Sequence, residues 1–105
     1  MRMFWIHDVP ASGKRGAHAH KACTQFIICG QGQIEIDAFD GTRSEEIKLS
    51  AGEYVNIVPG IFTTLTFPRE HSTVIVFCDR PYEADDYIYD VKTLAKGSTL
   101  TDGSK

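Results

Sequence analysis

Apolar and polar positions alternate along most of this chain, which is the period of a β-strand with one face buried. Arg2-Met3-Phe4-Trp5-Ile6 opens the chain as a strand, with Met1, Met3 and Trp5 on one face and Arg2, Phe4 and Ile6 on the other. Residues 8–16 contain Pro10, Ser12 and Gly13 and read as a loop. One strand is expected over 18–31, turned back by Gly30-Gln31-Gly32. Residues 33–39 place Ile34, Ile36 and Ala38 on a single face, and Asp40-Gly41 is a hairpin signal that leads into a strand over 43–49. Further strands are predicted over 54–58, 61–67 and 73–78, separated by Ser50-Ala51-Gly52, by Pro59-Gly60 and by a polar turn over 68–72. Residues 82–89 read as an irregular arm, 90–95 as a short helix, and 96–105 as a polar tail rich in Gly, Ser and Thr.

Short strands at regular spacing, with no helix long enough for a βαβ unit, imply an all-β sandwich or barrel. The 105 residues suit one domain over 1–95 followed by the tail, and a core of that size leaves association plausible. A net charge of −3 argues against nucleic acid as a partner, because non-specific binding to phosphates needs a basic face. No apolar run reaches membrane-spanning length, and the N-terminal stretch lacks the pattern of a signal peptide. Cys23, Cys29 and Cys78 form no CxxC pair, so neither a disulfide framework nor a zinc site is indicated, and a reducing, cytoplasmic compartment is expected.

The chemistry concentrates in Arg15-Gly16-Ala17-His18-Ala19-His20-Lys21, with Gln25 and Gly32 behind it. On a strand, His18 and His20 share a face. Two imidazoles flanked by two cations suit either a metal or proton transfer on a bound anion. His7 and His71 fall in or beside turns and read as surface residues.

The spacing His18-x-His20, four residues, Gln25, six residues, Gly32 resembles the first motif of the cupin barrels, a jelly-roll superfamily, with an amide where the usual carboxylate ligand stands. The second cupin motif carries a histidine after a Pro-Gly turn, and Pro59-Gly60-Ile61-Phe62-Thr63 carries none. Two imidazoles, an amide and a hydroxyl make a poor set for a divalent ion, so no metal or other cofactor is expected. The same run also resembles the dTDP-4-keto-6-deoxyglucose 3,4-ketoisomerases, the WxcM-like cupins of deoxysugar biosynthesis. Arg2-Met3-Phe4-Trp5-Ile6 looks like that family's first strand, and Tyr82-Glu83-Ala84-Asp85-Asp86-Tyr87-Ile88 like its closing motif.

The resemblance implies an all-β, cupin-type jelly-roll barrel with a short C-terminal arm or helix. It also implies a reaction that moves a carbonyl between C4 and C3 of a nucleotide-linked sugar through an enediol. His18 and His20 would be catalytic. Arg2, Arg15, Lys21, Gln25 and Thr63 would bind substrate, with Arg15 and Lys21 neutralising diphosphate or enediolate charge. In the family a tyrosine helps the proton transfer. Tyr82 and Tyr87 read as structural residues of the arm, and Asp85 and Asp86 as turn and capping residues. Phe4 and Trp5 stand where the family has tyrosines and Thr63 where it has a histidine, and an N-terminal segment of typical members has no counterpart here. These departures motivate the alternative of a noncatalytic sugar-nucleotide-binding cupin, or a partner subunit of a complete paralogue. A homodimer is expected under either reading, since edge strands are pairing templates.

Overall fold

The computed structural model describes residues 1–90. Nine strands, joined by turns and one 3₁₀ turn at Ala84–Asp86, make up the described elements. They are β1 (Arg2–Ile6), β2 (Gly13–His20), β3 (Gln25–Gln31), β4 (Gln33–Phe39), β5 (Ser44–Ser50), β6 (Tyr54–Ile57), β7 (Phe62–Phe67), β8 (Thr73–Cys78) and β9 (Tyr87–Ile88). Two antiparallel sheets result, one in the order β1-β8-β3-β6 and the other in the order β5-β4-β7-β2-β9. Alternate residues of each sheet point at the other. Ile27, Val55 and Val76 come from the first sheet, and Ile34, Ile36, Leu65 and Phe67 from the second, all buried. Their burial against one another is the main source of stability, at roughly 25 cal/mol per Å² of apolar surface.

The predicted hairpin forms between β4 and β5, where Asp40 Oδ1 accepts the N–H groups of Thr42 and Arg43. Gly32 turns the chain from one sheet into the other. Its φ is +75°, and a Cβ there would run into Ser72, so the position requires glycine on both counts.

Three expectations are corrected. Residues 18–31 do not form one strand. The chain breaks between His20 and Gln25, and β2 and β3 belong to different sheets. The break is held by carboxylates remote in sequence. Asp86 accepts the N–H groups of Ala22 and Cys23, and Asp79 that of Thr24, so these amides are withdrawn from any ladder. The loop expected over 8–16 is shorter, because Gly13 and Lys14 pair with Phe67 and Thr66 of β7. The turn itself sits at Asp8 and Ser12, both with positive φ. Nor is the arm wholly irregular, since Tyr87 and Ile88 add a short strand to the free edge of β2. The helix expected over 90–95 and the tail over 96–105 fall, apart from Asp90, outside the described residues.

Candidate active site

The site is set by a bulge in β2. Arg15 pairs with Leu65 and Gly16 with Thr64, but His18 pairs with Thr63, so Ala17 is an extra residue. Gly16 and Ala17 both take positive φ, +92° and +61°. In a regular strand Arg15 and His18 would face opposite ways. The bulge resets the alternation, so Arg15 joins Leu65, and His18 joins Thr63, on the inward face. An alanine in the left-handed region costs about 1–2 kcal/mol, a strain placed directly beside the candidate chemistry.

Between the sheets lies a hollow of about 180 Å³. Arg15, His18, Gln25 and Thr63 supply its polar wall. Phe4, Ile27, Leu65 and Val76 supply much of the apolar remainder. This is below the ~300–1,000 Å³ of pockets that enclose a drug-sized ligand, and it suits a single sugar ring better than a whole nucleotide-linked sugar. Trp5 points away from it and is 58% exposed, while Phe62 lies on the outer side of the second sheet.

The rings of His18 and His20 stand edge to face, 4.9 Å apart, as their i, i+2 spacing on a strand predicts. Tyr87, opposite His20 in the β2–β9 register, covers both imidazoles with ring distances of 4.8 and 4.5 Å. Asp86 Oδ2 lies 2.7 Å from Nδ1 of His20, both side chains being almost wholly buried. That carboxylate favours the tautomer with the proton on Nδ1 and leaves Nε2 as the basic nitrogen. Burial pushes the Asp86 carboxyl up, but the hydrogen bonds from His20, Ala22 and Cys23 outweigh it and hold it below its ordinary range. Burial is also the main cause that pushes His18 below the usual imidazole value, and the charges of His20 and Arg2 add to it against a hydrogen bond with the Gly16 backbone. His18 is therefore neutral at pH 7.

Arg2 lies beside this pair. Its Nη2 donates to Tyr87 Oη at 3.0 Å and approaches Cys78 Sγ at 3.4 Å, and its guanidinium stacks over Phe4 and Tyr82. Burial disfavours its charge, but those two hydrogen bonds prevail and keep it protonated. Among the described residues, Nε2 of His18, Nε2 of His20 and Nε of Arg2 are buried without a hydrogen-bond partner. Buried polar groups are nearly always satisfied, so three orphans in one cluster mark a place where a polar ligand would bind.

The family model described as "FdtA: WxcM-like, C-terminal" matches residues 1–98. The chain belongs to that family. A curated relative, TDP-4-oxo-6-deoxy-alpha-D-glucose-3,4-oxoisomerase of Aneurinibacillus thermoaerophilus, is 29% identical over 90 residues. That match covers 83% of this chain and 63% of the relative, so the chain spans less than two thirds of its length. Among solved structures, WlaRA, a TDP-fucose-3,4-ketoisomerase from Campylobacter jejuni, superposes with a TM-score of 0.84 at 26% identity, over 90% of this chain and 70% of that one. QdtA, a sugar 3,4-ketoisomerase from Thermoanaerobacterium thermosaccharolyticum solved with TDP, gives 0.80 at 26% identity, over 85% and 66%. The architecture is the cupin-type jelly-roll barrel expected from the sequence.

In this WxcM-like chain, Arg15, His18, Gln25 and Thr63 line the hollow, while His20 stands against His18 and Arg2 over Phe4. Gln25 reaches Cys78 Sγ, at 3.9 Å, rather than an imidazole. Lys21 does not join them. Its side chain is exposed in a separate groove with Arg80, Glu83 and Asp85, and its backbone N–H donates to the Asp86 carbonyl. Asp86 does cap the β2–β3 break, as its reading from sequence implies, but it also holds His20, a role that reading misses. His20, Cys23 and Asp86 place ligand atoms within 4.8 Å of one another. A metal there would have to displace the His20–Asp86 hydrogen bond and ionise Cys23, whose thiol burial pushes up to about 11. The cluster is better suited to hold a proton.

Proposed function

We propose that the chain is a sugar-nucleotide 3,4-ketoisomerase that acts on a dTDP-4-keto-6-deoxyhexose in deoxysugar biosynthesis without a metal. The observation that carries this reading is the pair of adjacent, buried Nε2 atoms, one on an imidazole braced by Asp86, at a hollow of about one sugar ring. His20 takes the C3 proton as general base. The electron pair forms the C3–C4 double bond, and charge moves to the C4 oxygen. The resulting enediolate takes that proton back from His20 at C4 as the O3 proton passes to O4, which leaves the 3-keto product. Neutral His18, Gln25 and Thr63 hold the sugar oxygens, and Arg2 and Arg15 stabilise the enediolate. Lys21, in its groove outside the hollow, faces the diphosphate. Incubating the purified protein with dTDP-4-keto-6-deoxyglucose and following the sugar by NMR tests this. Conversion to the 3-keto isomer is expected, and no turnover above background would sink it.

A second reading, a noncatalytic sugar-nucleotide-binding cupin or partner subunit, is favoured by one feature. Phe4 and Thr63 in the hollow's wall offer no acid or base. Binding of dTDP by calorimetry without turnover of the sugar would select it.

The protein is further proposed to act as a cytoplasmic homodimer. Three buried free cysteines suit a reducing compartment. The outer face of the β1-β8-β3-β6 sheet carries Met3, Trp5, Phe26, Ile28, Ile75 and Phe77 in cross-strand register, an apolar surface of the kind that pairs. Among the described residues no helix is long and apolar enough to cross a membrane.

A further inference from the structure

We propose that Cys78 is a positioning residue for the isomerase chemistry, its buried sulfur being the shared acceptor that aims Arg2 and Gln25 at the sugar. This rests on the ketoisomerase reading and deepens it. By its apolar surroundings alone, Cys78 would be one more small hydrophobe of the core. Its polar neighbours give it a second use.

Strand β8 runs between β1 and β3. In register, Cys78 stands opposite Arg2 on one side and opposite Gln25 on the other, so the three side chains form one row across the sheet. Arg2 Nη2 donates to the sulfur at 3.4 Å, and Gln25 Nε2 reaches it at 3.9 Å. Cys78 is 1% exposed, so water does not compete for these contacts.

The sulfur acts differently on each partner. The Nη2 group of an arginine carries two hydrogens. Tyr87 Oη takes one and Cys78 Sγ the other, which fixes the plane of the guanidinium over Phe4. Nε, buried and without a partner, is left for a ligand oxygen. The Gln25 amide has a donor end and an acceptor end. With its NH₂ group turned to the sulfur, Oε1 is the end that meets the hollow Gln25 lines. Gln25 then accepts from a sugar hydroxyl, and the keto oxygen is left to the cations.

Sulfur suits the place better than oxygen with a charge. A carboxylate opposite Arg2 would grip the guanidinium more firmly, but it would cancel the charge that the enediolate needs. A thiol is a weak acceptor and carries no charge, so it orients Arg2 and leaves its field intact.

Two substitutions separate positioning from packing. Cys78→Val fills the space of the thiol with apolar atoms and offers no acceptor. Cys78→Ser keeps an acceptor and gives up apolar contact. Melting temperature should therefore rank valine at or above serine, while kcat should rank serine above valine. Cys78→Val should lower kcat by about 10–100-fold, the scale of a misplaced group at the reacting centre. Cys78→Ser should recover most of that loss. Calorimetry should show dTDP bound as in wild type by both, because dTDP lacks the sugar. Cys78→Ala, which adds no bulk, gives the same comparison should valine crowd the row. If wild type turns over and the variants without an acceptor match it within about threefold, the sulfur only packs. The same holds if serine restores nothing, or if dTDP binding falls in step with kcat. In each of these cases the ketoisomerase reading stands and the role of Cys78 is refuted. If wild type itself does not turn over, the ketoisomerase reading fails, and this role falls with it.

Discussion

Asp86 Oδ2 and His20 Nδ1 meet at 2.7 Å across 66 residues of sequence, and that contact ties the closing arm to the first motif. The carboxylate has two duties. It satisfies the N–H groups of Ala22 and Cys23 where β2 ends, and it fixes the tautomer of His20. Asp86→Asn retains an acceptor for one partner but no longer enforces the proton on Nδ1. We expect kcat to fall by about 10²–10⁴-fold while dTDP still binds, as measured by initial rates and calorimetry. Asp86→Ala additionally leaves buried donors unpaired and should cost about 1–3 kcal/mol in a denaturant titration. Wild-type kinetics in Asp86→Asn would remove the dyad from the mechanism.

The bulge at Ala17 yields a different kind of test. It puts Arg15 on the same face as His18 at the expense of an alanine held at φ +61°. Replacing that alanine by glycine relieves the strain. Ala17→Gly should therefore be more stable by about 1 kcal/mol with unchanged turnover. Deleting residue 17 leaves a regular ladder in which Arg15 and His18 are two residues apart and still share a face, so a chain that folds, as circular dichroism would report, should keep its turnover. A deletion variant that folds but has lost turnover would show that the bulge sets more than the shared face of Arg15 and His18.

Much of this was legible in the sequence, and the reason is the buried face. Where a strand buries alternate side chains, as 33–39 does with Ile34, Ile36 and Ala38, hydrophobic period and structure coincide. The pairing of His18 with His20 follows from the same period. What escaped was set by contacts distant in sequence. The break after His20 has no local signal, because its amides are taken by Asp79 and Asp86. The entry of β2 at Gly13 depends on the length of β7. Gly16-Ala17 gave a hint of the bulge, yet alanine is not a residue that announces a left-handed backbone. Tyr87 and Asp86 read as parts of an arm because only the β9 pairing shows that the arm closes over the imidazoles.

His18 carries a pH dependence whose sign follows from its surroundings. Its folded value lies below the 6.5 of a free imidazole, chiefly because it is buried, with His20 and Arg2 adding repulsion. The unfolded chain therefore binds more protons than the folded one between 6.5 and that lower value, and stability must fall as pH drops through this window. Above 6.5 the residue is neutral in both states and contributes no slope. His18→Gln should flatten the decline in melting temperature between neutral and mildly acidic pH. An unchanged acid limb in that variant would assign the slope elsewhere.

The proposed homodimer would pair through the apolar outer face. Met3 lies opposite Phe77, Trp5 opposite Ile75, and Phe26 and Ile28 continue the same two rows on β3. Tyr54 extends the surface onto β6, where it pairs with Ile28. The outward residues of these rows carry no charge, so two copies related by a two-fold axis would bury them without like-charge repulsion. Placing a carboxylate in the middle, as Trp5→Glu, should convert a dimer into a monomer by light scattering or sedimentation. Because Trp5 points away from the hollow, dTDP binding per chain should persist, which separates loss of association from loss of fold. A variant that keeps the wild-type mass would move the interface to another face, and a monomeric wild type would leave this surface without a second copy to cover it.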